Sequence, residues 1–174
     1  MSVIYIKDRN HVLELGFQDV TKYHGNLALM AVAVGFRSLQ AAFAELFGEE
    51  APDRKEISIL SGHAGPGFRD VFEYVTRTVT RQVYQVDVNY PVSQFDPYRA
   101  QSYAFVITAA DGRAVEVSLR DDFLPAAFYD YLKKGREQSM TEQDEQDFDQ
   151  LKLALSKRAM ELSQSKLLQV KRIS

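Results

Sequence analysis

ISILSGHAGPGFRDVFEYV, Ile57 to Val75, contains the change of period on which the fold depends. Ile57 to Leu60 read as a buried strand, and their continuous apolar character suits a strand covered on both faces. The chain then passes through Ser61-Gly62-His63-Ala64-Gly65-Pro66-Gly67. Phe68, Val71, Phe72 and Val75 follow at i, i+3, i+4 and i+7, the spacing of an amphipathic helix. A strand that leads through a glycine-rich turn to a helix N-terminus presents free backbone N–H groups and a positive dipole end, which suits an anionic group. Arg69 in the first turn adds a charge, and Asp70 follows it. A second reading is purely geometric, with Gly65 and Gly67 supplying unusual backbone angles. The turn is neither GxxxxGK[ST] nor GxGxxG, so it carries no nucleotide signature.

Working outward, the run LALMAVAVGF (Leu27–Phe36) opens a long helix to Phe47, continued by Leu39, Phe43 and Leu46 and stopped by Gly48. Upstream, residues from about His11 to Tyr23 read as a short helix packing through Val12, Leu15 and Phe17, and His24-Gly25-Asn26 breaks the pattern. Downstream, Tyr84, Val86, Val88 and Tyr90 alternate as a strand. YPVSQFDPYRAQS is a loop, and YAFVITAADGRAVEVSL is a hairpin turning at Asp111-Gly112. Pro125 opens a short helix to Lys134, ended by Gly135. Thr141 with Asp144 forms a capping box for a long charged helix whose stripe is Phe148, Leu151, Leu155 and Leu162. KLLQVKRI reads as a final edge strand. This order predicts an α+β domain with a small mixed sheet.

With 174 residues, 45% hydrophobic and 26% charged, the chain has the composition of an ordinary globular domain. A net charge of −3 offers no attraction for nucleic acid or an anionic membrane, so neither is expected as a partner. The absence of cysteine excludes disulfides, iron–sulfur clusters, thiolate zinc sites and a cysteine nucleophile. The Leu27–Phe36 run meets Arg37, too soon for a membrane span, and MSVIYIKDRN lacks a signal-peptide core. The expectation is a soluble, cytoplasmic protein.

Two histidines stand at element boundaries, His24 between helices and His63 in the glycine turn. Brought together, and joined by Asp70 or Asn26, they would make a minimal site for a divalent metal such as zinc or nickel. The other reading is a hydrogen-bonding histidine at each helix start. Asp121-Asp122 and the acidic run Thr141–Asp149 suit helix starts, where negative charge complements the dipole. Ser61 lacks a GxSxG context, and no catalytic residues are assigned.

Taken in order, YHGNLALMAVAVGFRSLQ, ISILSGHAGPGFRDVFEYV, YAFVITAADGRAVEVSLRDDF and LLQVKRI resemble the FmdE family, named for a component of the formylmethanofuran dehydrogenase complex. His24 and Gly25 stand at the family's HGHxCPG motif, with Asn26 in place of its second histidine and Ala28 in place of its cysteine. In the second motif Ala64 takes the cysteine position, Gly65 matches the glycine that follows and Gly67 replaces an acidic residue. The resemblance implies an α-β-α-β-β-β unit with a mixed four-stranded sheet over residues 1–124, a helical extension with a closing edge strand over 125–174, and a homodimer. The function expected is a non-catalytic ligand- or metal-binding domain. Its site would lie between the long-helix start and the glycine turn, with His24 and His63 toward the metal and Asn26, Gly65, Gly67, Arg69 and Asp70 toward the ligand. The alternatives are an enzyme acting on a small anionic or one-carbon-carrier substrate, and an interaction subunit of a larger redox complex docking through the helix from Thr141 to Ser165.

Overall fold

The computed structural model describes residues 3–174. A hairpin comes first, β1 (Val3–Asp8) and β2 (His11–Gly16), followed by α1 (Phe17–His24) and α2 (Leu29–Phe47). A single 3-10 turn, Arg54–Glu56, leads into β3 (Ile57–Ser61), then α3 (Pro66–Thr76) and β4 (Tyr84–Val86). β5 (Ala104–Ala109) and β6 (Ala114–Leu119) form the second hairpin. The chain ends in α4 (Ala126–Arg136), α5 (Glu142–Glu161), α6 (Gln164–Leu167) and β7 (Leu168–Arg172).

The fold is α+β, and its main sheet is mixed, with five strands in the order β4-β3-β5-β6-β7. β3 and β4 are parallel, joined by the α3 crossover, and the remaining pairs are antiparallel. β7 adds a fifth strand on the β6 edge, with Val117 opposite Val170. The sheet is therefore the four strands of the expected unit with the C-terminal segment closing one edge.

α2 is the central element. It is long and apolar enough by composition to cross a membrane, and most of it is buried within the fold. Val32, Phe36 and Leu39 pack in the same core as β5 and β6, while α3 and α5 lie against the helix on either side. The approach of α3 depends on glycine: a Cβ at Gly35 would fall 2.4 Å from Val71 Cγ1, and one at Gly67 would fall 2.7 Å from Ala31 Cβ. α5 presents Phe148, Leu155 and Ala159 to the core, and Arg37 Nη1 donates to the carbonyls of Ala159 and Leu162, 2.7 Å each. The stripe of α5 is thus covered by the chain's own fold.

Several boundaries differ from the sequence expectation; α2 opens at Leu29, not Leu27, since Ala28 takes a left-handed φ of 54°. The segment from His11 begins as a strand, because Arg9 and Asn10 both take positive φ (51° and 69°) and reverse the chain there. Two-residue turns with positive φ at both positions match the twist of an antiparallel pair. The alternation Ile4, Ile6 and Leu15 buried against Tyr5 and Glu14 outward is the two-residue period that a helical reading of Val12 and Leu15 overlooks. The strand at 84–90 stops at Val86, where the Asp87 side chain accepts from Asn89 N–H and turns the chain. Gly135 falls inside α4, which runs one residue further.

Candidate functional site

The residues of the glycine turn are fixed by local hydrogen bonds. Ser61 Oγ donates to the His63 carbonyl (2.8 Å) and accepts from His63 N–H (3.1 Å). Ala64 N–H donates to Gln101 Oε1 (3.1 Å), and Ser102 N–H donates to the Gly62 carbonyl (3.0 Å). The long loop before β5 therefore braces the turn from outside.

The glycines here serve close approach, which corrects the reading that they supply unusual angles. Gly65 has an ordinary φ of −68°, and Gly67 lies within α3. A Cβ at Gly65 would sit 2.7 Å from His63 Cε1 and 2.8 Å from Nδ1, and one at Gly62 would sit 2.4 Å from Ser102 Cβ. Glycine is favoured because any larger residue would have to displace the neighbouring side chains.

His63 lies between two aromatic rings, 4.8 Å from the centroids of both Phe68 and Tyr103. Burial, with the nearby positive charge of Arg99 adding to it, lowers its pKa to about 3. The neutral ring accepts at Nδ1 from Gly65 N–H (2.8 Å), so the single ring proton resides on Nε2. No protein group among the described residues hydrogen-bonds Nε2, which is left as a donor.

His63 is one of the residues that line a cavity of about 210 Å³. Phe68 and Gly67 of α3 form its floor, Met30 and Ala31 of α2 one side, and Phe128 and Leu132 of α4 with Phe148 of α5 the other. Tyr103 also lines it; the residue is fully buried and its hydroxyl has no partner among the described residues. Burial first, then Tyr129 and Asp96, raises the pKa of that hydroxyl, so it stays protonated. Arg99 and Lys152 are the charged residues of the lining. Arg99 Nε is 3.8 Å from the buried Asp96 Oδ2, and Lys152 Nζ is 3.4 Å from Asp149 Oδ1 and 4.4 Å over the Phe148 ring.

The other candidate residues are placed elsewhere. His24 Nδ1 pairs with Asp70 Oδ2 (2.7 Å), and Nε2 meets the Leu27 carbonyl at 2.6 Å. Asp70 Oδ1 accepts from Arg69 Nε and Nη2, 3.2 Å each. These three side chains form a closed polar clamp from the α1–α2 corner to α3. Asn26 lines a different groove of about 570 Å³ with Thr21 and Lys157. The seven residues expected to form one site therefore divide into a clamp (His24, Arg69, Asp70), a cavity wall (His63, Gly65, Gly67) and Asn26 alone.

A divalent metal does not fit this donor set. Both His24 nitrogens are engaged, one His63 nitrogen is engaged and the other carries the proton, and no group of three or more His, Asp or Glu side chains able to hold a metal occurs among the described residues.

Sequence reasoning missed Arg99, Tyr103, Phe128, Leu132 and Lys152 as parts of one site. Tyr103 reads as a strand residue, and Phe128 and Leu132 share a face of α4 at i, i+4, the spacing that could have marked them as a wall. Arg99 sits in a loop with no pattern. The chain matches no known protein-family model, and no curated protein matches it.

Proposed function

We propose that this chain is a non-catalytic small-molecule-binding domain of the FmdE-like type, whose ligand occupies the cavity beneath the glycine turn. The observation that carries the reading is a preformed, mostly apolar cavity lined by His63, whose Nε2–H has no protein partner among the described residues. Concave, mostly apolar sites with a few convergent polar groups are the usual form of ligand pockets. A donor left without a protein partner has a hydrogen bond to offer a ligand acceptor. The order α2-β3-α3-β4-β5-β6 agrees with the unit that the FmdE resemblance implies, and the homodimer is proposed on that resemblance alone. Sedimentation equilibrium of the purified protein tests it.

The enzyme alternative has less support. Asp70, the carboxylate nearest the turn in sequence, is occupied at both oxygens by His24 and Arg69, which leaves no free base there.

A screen of small aromatic and aliphatic fragments by two-dimensional NMR tests the binding reading. The expected hits shift the side-chain resonances of Phe68, Phe128 and His63 and vanish in Leu132→Trp, whose indole fills the cavity from the partly exposed face of α4. Hits that leave those resonances unmoved, or that survive in Leu132→Trp, contradict it.

A further inference from the structure

The binding reading leaves the ligand unnamed, and the chemistry of the cavity wall narrows its class. We infer that the cavity takes a compact monocarboxylate with an apolar body of about benzoate size; this rests on the binding reading above.

Polarity comes first. The partly exposed polar side chains of the lining are all donors: Lys152, Arg99 and His63 through Nε2. No Asp or Glu lines the cavity. A ligand head that only accepts satisfies all of these groups, whereas an ammonium or guanidinium head would meet donors alone. The N-terminus of α3, eleven residues long and opening with Pro66 and Gly67 at the cavity floor, adds a dipole of the same sense.

Charge magnitude comes second. Arg99 is already paired with Asp96 and Lys152 with Asp149, so the wall supplies a modest positive potential. Transfer of an ion into an apolar site carries a desolvation penalty that rises steeply with charge. One negative charge is matched by such a wall, and a phosphate dianion is not.

Size comes third. At about 30 Å³ of liquid volume per water, a cavity of about 210 Å³ holds roughly seven waters. A molecule of about seven to ten non-hydrogen atoms fills it. Phe128, Phe148, Leu132 and Met30 surround the position of its body and exclude a polyol or a second charged group.

Isothermal titration of the full chain with benzoate, its neutral counterpart benzamide and inorganic phosphate tests the inference. Benzoate is expected to bind, benzamide at least about ten-fold more weakly, and phosphate not at all. The double variant Arg99→Met, Lys152→Met is expected to lower benzoate affinity about ten-fold or more and to leave benzamide unchanged; both side chains are partly exposed, and circular dichroism confirms the variant is folded. Leu132→Trp removes binding of both aromatics. Benzamide binding as tightly as benzoate, or benzoate affinity unaffected by loss of both cations, overturns the carboxylate class while leaving the cavity reading in place. Phosphate binding that outcompetes benzoate also overturns the class. Failure of both aromatics to bind at millimolar concentration overturns the cavity reading itself, and the inference with it.

Discussion

His24 and His63 approach the N-terminal half of the same helix, α3, and do opposite work. At the His24 corner both ring nitrogens are engaged, Asp70 is shared with Arg69, and the result ties the α1–α2 corner to α3. At the His63 turn the ring is neutral, one nitrogen accepts from a backbone N–H, and the other holds a proton without a protein partner beside a cavity. Residue type alone does not separate the two; what separates them is whether a polar group is left over after the fold has satisfied its neighbours. The closed corner is a structural clamp, and the open turn is where a ligand has something to gain.

The largest effect is expected at Phe68, which supports the His63 ring and the cavity floor and is fully buried. Phe68→Ala is expected to lower stability by about 3–5 kcal/mol in urea denaturation, the range for truncating a core aromatic. A change below about 1 kcal/mol would mean that the turn does not rest on the core as described.

On the closed side, Asp70→Ala removes a charged hydrogen-bond acceptor from His24, whose side chain is 5% exposed. The expected loss is about 1.5–3 kcal/mol, with fragment binding at the cavity unchanged. Loss of ligand binding in this variant would show that the two regions are one site after all.

The open side carries its own pH signature. His63 has an ordinary pKa of 6.5 when unfolded and about 3 in the fold, so below 6.5 the unfolded chain takes up a proton that the folded ring refuses. Its contribution is constant above that point and is lost as pH falls toward 3. Relative to His63→Asn, which keeps an acceptor for Gly65 N–H, the wild type is expected to lose up to about 1.4 kcal/mol of stability per pH unit between roughly pH 6 and 4. Parallel stability profiles for the two proteins would contradict the neutral ring.

The smallest effect is expected at Gly65. Gly65→Ala places a methyl against the His63 ring and shifts it, at about 1 kcal/mol, the low end for overpacking. Fragment affinity should fall with it; unchanged affinity would separate the ring position from the site.

Much of the fold was legible because it depends on period and punctuation. The apolar run of β3, the 3.6-residue spacing of α3, the Gly48 stop of α2 and the Thr141–Asp144 cap of α5 are all local signals, and each element stands where those signals put it. The first hairpin was not legible, because its turn, Arg9-Asn10, has Asn but no glycine, and Val12 with Leu15, three apart, reads as one helical face although the strand puts them on opposite faces. The site was legible only in its turn. His63, Gly65 and Gly67 stand out in sequence, but the opposite wall comes from residues 99 to 152, assembled by packing of α4 and α5 that no local pattern encodes. His24 stood out equally, and only its partners show that its capacity is already used.

The most direct measurement is a long-range ¹H–¹⁵N spectrum of the histidine rings at pH 5, with and without benzoate. A neutral His63 ring protonated at Nε2 is expected in the free protein, with the Nε2 resonance moving on addition of benzoate while the Nδ1 contact to Gly65 persists. A His63 ring protonated on both nitrogens at pH 5, or an Nε2 resonance indifferent to benzoate, would contradict the open, ligand-ready turn.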